Sequence, residues 1–109
     1  MSTYAEWKLW VGVLMEDADF DAVSDETYEI LDGLYEKPYR IQGLKIEHIY
    51  RKSGIGVVVA TLSWNYEHKV FDLKKIARAR AIVPKLQKIF NQLGVQAKVR
   101  IMHYVDVGG

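Results

Sequence analysis

The residues of this chain that are best suited to chemistry are the carboxylates that follow its first apolar stretch. Acidic side chains crowd the segment Glu16–Asp21, and clustered carboxylates suit hard cations such as Ca²⁺. In a calcium loop that starts at Asp17, however, Ala22 takes the sixth position, which calls for glycine, and Tyr28 takes the twelfth, which supplies a bidentate carboxylate. The segment is therefore predicted to be a polar turn that leads into a helix, with no metal bound.

The other residue types that serve catalysis are scattered along the chain. The histidines, His48, His68 and His103, lack the spacing at which two of them could share a metal on one helix or strand face. His103 lies on the apolar side of its strand pattern and is predicted to be a hydrogen-bonded core histidine. No serine lies in a nucleophile-elbow motif, and the chain has no cysteine for a thiolate nucleophile or a zinc cluster. The sequence thus predicts no catalytic residue and no cofactor, which favours a non-catalytic protein. A small dimeric α+β-barrel enzyme or ligand binder is left open as an alternative.

The size and composition of the chain suit one domain that does not enter a membrane. It has 109 residues, half of them hydrophobic, which predicts a single α+β domain over residues 1–109. Its longest apolar runs, Trp10–Met15 and Ile55–Ala60, are too short to cross a bilayer, and no export signal is visible at the N-terminus. We therefore predict a cytoplasmic protein without a membrane partner.

The formal net charge of +1 hides a strong segregation of charge. Residues 1–36 hold ten acids and one base, whereas residues 37–105 hold fourteen bases and three acids. The sequence predicts an acidic surface, which consists of Asp17, Asp19, Asp21, Asp25, Glu26 and Glu29. It also predicts a basic helix, which carries Lys74, Lys75, Arg78, Lys85 and Lys88. On neighbouring helices these charges would compensate one another, with each exposed ion pair contributing about 0–1 kcal/mol. Alternatively, the acidic surface mimics a nucleic-acid backbone and inhibits a protein that handles nucleic acids.

Hydrophobic periodicity predicts four strands and two helices. Strand alternation runs along residues 6–15, 44–51, 55–66 and 96–105. Helical spacing runs from Ser24 toward Pro38 and from Asp72 to about Leu93, with Ser24 and Asp72 as the predicted N-caps. Pro84 is expected to kink or split the second helix, and Gly94 is expected to cap it. The order strand–helix–strand–strand–helix–strand predicts a ferredoxin-like βαββαβ sandwich, with a four-stranded antiparallel sheet and both helices on one face.

Such a sandwich leaves the second face of its sheet open, and this open face is the predicted binding surface. Alternation assigns to it Lys8, Trp10, Leu14, Val57, Val59, Lys98, Arg100, Met102 and Tyr104. Its apolar members would form a patch too large for a solitary monomer, and two sheets stacked face to face would bury it. We therefore predict a small self-associating binding or accessory protein, a homo-oligomer that acts on a macromolecular partner through this face.

The aromatic and basic residues of the open face allow a second interpretation. The segment Leu9–Leu14 resembles the first-strand signature of RNA-recognition motifs, which stack single-stranded bases on exposed rings. The stacking positions of the corresponding third strand hold Ile55 and Val57 instead of aromatic residues. The resemblance implies a degenerate sheet of this kind. It would bind single-stranded nucleic acid through the aromatic residues Trp10 and Tyr104 and the basic residues Lys8, Lys98 and Arg100.

Overall fold

The computed structural model describes residues 4–18, 20–49, 53–63 and 73–108, and the structure within them is an α+β fold. Its strands and helices are β1 (Tyr4–Leu14), α1 (Asp25–Gly33), β2 (Tyr39–Ile41), β3 (Leu44–Ile49), β4 (Gly54–Ser63), α2 (Leu73–Leu93) and β5 (Arg100–Gly108). Two single-turn 3₁₀ helices, Met15–Asp17 and Phe20–Ala22, connect β1 to α1. Neither described helix is long and apolar enough to cross a membrane.

The strands form one antiparallel sheet in the order β2-β3-β4-β1-β5. The predicted four-stranded βαββαβ arrangement is not matched, because β2 adds a fifth strand as the hairpin partner of β3. The loop between them consists of Gln42 and Gly43, whose φ angles are 51° and 79°. Left-handed residues at both central positions of a two-residue loop suit the twist of a hairpin. A strand of three residues is too short to show alternation, so β2 has no periodic signal in the sequence.

The two helices begin and end at residues with clear capping roles. The Ser24 hydroxyl accepts a hydrogen bond from the backbone N–H of Thr27 at 3.2 Å, which confirms Ser24 as the N-cap of α1. The predicted N-cap of α2, Asp72, lies outside the described residues. Gly94 has a φ of 82°, and the Val95 N–H donates to the Phe90 carbonyl at 2.9 Å, so α2 ends as expected. Pro84 does not split α2, which runs as one helix through it.

The main hydrophobic core lies between the helices and one face of the sheet. It contains Leu9, Val11, Val13, Leu31, Leu34, Ile46, Ile55, Val57, Val59, Ala60, Ala79, Ile82, Leu86, Ile89, Phe90, Val95 and Val99. Both helices supply residues to it, so they cover the same face of the sheet.

The prediction that Val57 and Val59 belong to the open face is wrong. Val57 lies opposite Val11, and directly opposite residues share a face, so it points into the main core. Val59 has no partner on β1, because Leu9 lies opposite Ala60 and Trp10 lies opposite Val58. This β-bulge turns both Val59 and Ala60 toward the core.

Candidate functional site

The open face, the sheet surface opposite the two helices, is organised around Trp10 at the centre of β1. Trp10 lies opposite Val58 on β4 and Met102 on β5, and these three residues share the face. Other described residues on the face include Glu6, Lys8, Gly12, Leu14, Arg40, Lys45, Glu47, Ile49, Gly54, Gly56, Thr61, Arg100 and Tyr104. The structure thus brings six of the nine predicted residues together on one surface, and Val58 takes the place of the two misassigned valines.

A second hydrophobic cluster forms the floor of the open face. Trp10 is 1% exposed, and Ile49 and Tyr104 are buried beside it. Leu14, Val58 and Met102 pack against them and stay partly exposed. Every described member of this cluster comes from a strand, so no described helix residue covers it. Ile49 was not among the residues predicted for this face, although its place opposite Gly54 puts it there.

Glycines make room for the Trp10 indole. A Cβ atom on Gly54 would lie 2.4 Å from Cη2 of Trp10, so the ring occupies the space that a side chain would need. Gly12 and Gly56 lie opposite each other, between Trp10 and Gly54 along the two strands. A Cβ on either of them would lie 2.1 Å from a backbone carbonyl oxygen of the other strand. The close approach of β1 and β4 at this point therefore requires glycine on both strands.

Packing alone holds the indole in place. Its Nε1 atom is buried and has no hydrogen-bond acceptor in the described part of the chain. An unsatisfied buried N–H costs about 1–3 kcal/mol. The hydrophobic contacts around the ring must therefore exceed this cost.

The burial of both rings bears on the nucleic-acid interpretation. Bases stack on aromatic faces that are exposed, but Trp10 and Tyr104 are 1% and 5% exposed. Neither ring face is available to a base in this structure.

Lys98, a basic residue predicted for the open face, lies outside β5, because the strand begins at Arg100. Its side chain is exposed.

The basic margin of the open face is partly neutralised by an acid from outside the strands. A guanidinium nitrogen of Arg100 lies 3.0 Å from a carboxylate oxygen of Asp17, which forms an exposed ion pair. The 3₁₀ helix that follows β1 brings Asp17 beside the start of β5. Such an approach depends on the path of the chain after the strand and has no periodic signature.

The acidic surface and the basic helix do not compensate each other in the way the sequence suggested. Of the acidic surface, Asp25, Glu26 and Glu29 lie on α1 and are exposed, and Asp19 lies outside the described residues. In the described part of the chain, no ion pair joins a carboxylate of α1 to a base of α2. All five residues of the basic helix lie on α2 and are exposed. The helices meet instead through the buried Thr27 hydroxyl, which donates to the Leu93 carbonyl at 2.8 Å.

A polar cleft lies where the start of α1 meets the end of α2. Its volume is about 490 Å³, and Ser24, Glu26, Asn91 and Gln92 supply polar groups to its walls. The described residues contain no group of three or more metal-ligating side chains placed to hold an ion.

On the helix side of β3, removal from water lowers the pKa of His48, whose ring centroid lies 4.4 Å from that of Tyr35.

The exposure of side chains on β5 differs from the prediction for one residue. His103 was expected to be a hydrogen-bonded core histidine, but it is exposed, as are Ile101 and Val105 on the same face of β5. The helix layer leaves these side chains of the edge strand uncovered.

Comparison of the chain with protein-family models, with curated proteins and with solved structures gave no match.

Proposed function

We propose that this chain is a small non-catalytic accessory protein that self-associates and binds a macromolecular partner through its open face. The observation that carries the proposal is the apolar centre of that face. Leu14, Val58 and Met102 stay partly exposed over the buried Trp10, and the described members of their cluster all come from strands. Removing such a patch from water favours association.

The composition of the face favours a protein as the partner. An apolar centre with a polar margin is the usual anatomy of a protein–protein interface. Lys8, Thr61 and Arg100 provide that margin. The buried rings of Trp10 and Tyr104 leave aliphatic and thioether groups as the contact surface, and these groups suit an apolar segment of another protein.

Replacing Leu14 with lysine is expected to weaken binding at the open face by about tenfold or more, because it puts a charge beside the apolar centre. The lysine stem still covers the neighbouring surface, and its ammonium group reaches water at the end of β1, so the fold is retained. Peptides selected from a random library on the immobilised wild-type protein provide the probe. Their dissociation constants are then measured by fluorescence polarisation for the wild type and for Leu14→Lys.

A charge reversal on the other side of the molecule serves as the control. Lys88→Glu lies on the exposed surface of α2 and should leave the affinity of the same peptides unchanged. Equal binding to the wild type and Leu14→Lys would contradict the proposal. Salt-sensitive binding of labelled single-stranded RNA that Lys8→Glu abolishes would favour nucleic acid as the partner instead.

The uncompensated charge on α1 favours a second candidate function, in which the acidic surface binds a basic partner as a nucleic-acid mimic. The carboxylates of Asp25, Glu26 and Glu29 are exposed, and they form no ion pair with the described residues. Aligned acids of this kind attract a cationic surface over a distance set by the salt concentration.

The double variant Glu26→Lys/Glu29→Lys is expected to reduce binding of a labelled arginine-rich peptide by about tenfold or more at low salt, because it reverses two charges on one helix. Titration at two salt concentrations measures the effect. Lys88→Glu again provides the control, since it removes a repulsive charge and should not weaken binding. Unchanged affinity of the double variant would exclude this function for α1.

A further inference from the structure

The strand β5 forms one edge of the sheet. Nine cross-strand pairs, from Gly12 opposite Arg100 to Tyr4 opposite Gly108, join it to β1 without a shift in register. No other strand of the described chain pairs with β5. The backbone N–H and C=O groups on its outer side are therefore open to a further strand.

The two edges of the sheet differ in how they are protected. The opposite edge, β2, has only three residues and follows Pro38. Short edge strands and prolines are features by which proteins prevent edge pairing. In contrast, β5 is nine residues long and contains no proline, and its charged residues, Arg100 and Asp106, lie on either side of the segment 101–105. The exposed fractions of its Ile101 and Val105 side chains are 38% and 42%.

We propose that β5 pairs antiparallel with β5 of a second copy of this chain, about a twofold axis at His103. The result is one continuous sheet of ten strands, five from each copy. This inference rests on the self-association proposed above. It assigns the contact between the two copies to the sheet edge and leaves the open face to the macromolecular partner.

The side chains of β5 select this register. Ile101, His103 and Val105 share the helix-side face, with the two aliphatic residues equally far from the histidine. With His103 at the axis, Ile101 of each copy lies opposite Val105 of the other, and both exposed apolar groups are covered. A shift of two residues in either direction places Ile101 or Val105 opposite His103 instead. A twofold axis perpendicular to the sheet also excludes shifts by one residue, because opposite residues must share a face.

Pairing at this edge has a consequence for the open face. The twofold axis keeps both open faces on the same side of the enlarged sheet. The two clusters around Trp10 then form one surface with two equivalent halves, so that a partner could contact both.

Opposite charges introduced at the axis provide the test, read by sedimentation equilibrium. The wild type is expected at twice the 12.6 kDa of one chain. Because like charges lie opposite each other in this register, His103→Glu and His103→Lys should each raise the dimer dissociation constant by about tenfold or more. An equal mixture of the two variants should restore dimers. Gln92→Glu, an exposed change on α2, should have no effect.

A cysteine at the axis tests the register independently. The chain has no cysteine, and opposite Cα atoms of an antiparallel pair are separated by about 4.5–5.5 Å, within the range of a disulfide. Under mild oxidation His103→Cys should form covalent dimers, whereas Gln92→Cys, at an exposed position on α2, should not. Thermal denaturation confirms that each variant is folded.

The outcomes separate this inference from the proposed function. Dimers of His103→Glu with wild-type affinity, or a mixture no tighter than either variant alone, would overturn edge pairing. If Leu14→Lys is monomeric while His103→Glu stays dimeric, the two open faces stack, and edge pairing is again overturned. A monomeric wild type overturns self-association, and peptide binding to the open face then decides the rest of the proposed function.

Discussion

Replacing Gly56 with alanine is expected to lower the free energy of unfolding by about 3 kcal/mol, at the upper end of the usual cost of overpacking. A Cβ atom at this position would lie 2.1 Å from the Val11 carbonyl oxygen and 2.8 Å from the Gly12 Cα atom. Both atoms belong to the backbone, so no side-chain rotation relieves the contact. The strands β1 and β4 would have to separate at the centre of the sheet, and the hydrogen bonds between them would weaken.

Urea denaturation followed by circular dichroism measures this change, and Gly33→Ala is its matched control. A Cβ on Gly33, at the end of α1, would have no atom within 4 Å. Alanine there should stabilise the protein by up to about 1 kcal/mol, because it favours the helix and restricts the unfolded chain. An unchanged midpoint for Gly56→Ala would contradict the close approach of β1 and β4.

Replacing Phe90 with alanine is expected to lower the free energy of unfolding by about 3–5 kcal/mol. Phe90 is fully buried in the main core, in the last turns of α2. Truncation removes most of a large apolar side chain and leaves a cavity that the surrounding helix and sheet only partly fill.

The same urea experiment measures the effect of this truncation. Leu73→Ala provides the control, because Leu73 lies on the same helix and is 82% exposed. The free energy of unfolding of Leu73→Ala should differ from that of the wild type by less than about 0.5 kcal/mol. A loss below about 1 kcal/mol for Phe90→Ala would mean that α2 does not pack on the sheet in this way.

The long elements of the fold were predictable because their signals are local. The N-cap at Ser24, the end of α2 at Gly94 and the alternation of β1 depend on neighbouring residues and were identified from the sequence. The β2 strand was missed because three residues carry no periodicity, and because the hairpin depends on the left-handed backbone of Gln42 and Gly43.

The face of each strand was less predictable than its position. Because β4 is apolar on both faces, alternation alone could not show that Val57 points toward the helices. The bulge at Val59 changes the alternation further along the strand. The burial of Trp10 depends on glycines from two strands that the sequence separates by about 40 residues. Only their pairing shows that Gly54 leaves room for the indole.

The strand order also determines when the sheet can form as the chain is synthesised. The interior strand β1 is made before the other strands, but its neighbours β4 and β5 come from much later segments, and Tyr4 pairs with Gly108. Contacts between residues so distant in sequence slow folding. On the ribosome, β1 therefore has no neighbouring strand until the segment that forms β4 has emerged, and its second neighbour, β5, emerges later still. During that interval the nascent chain exposes the apolar residues of β1 to chaperones and to other nascent chains.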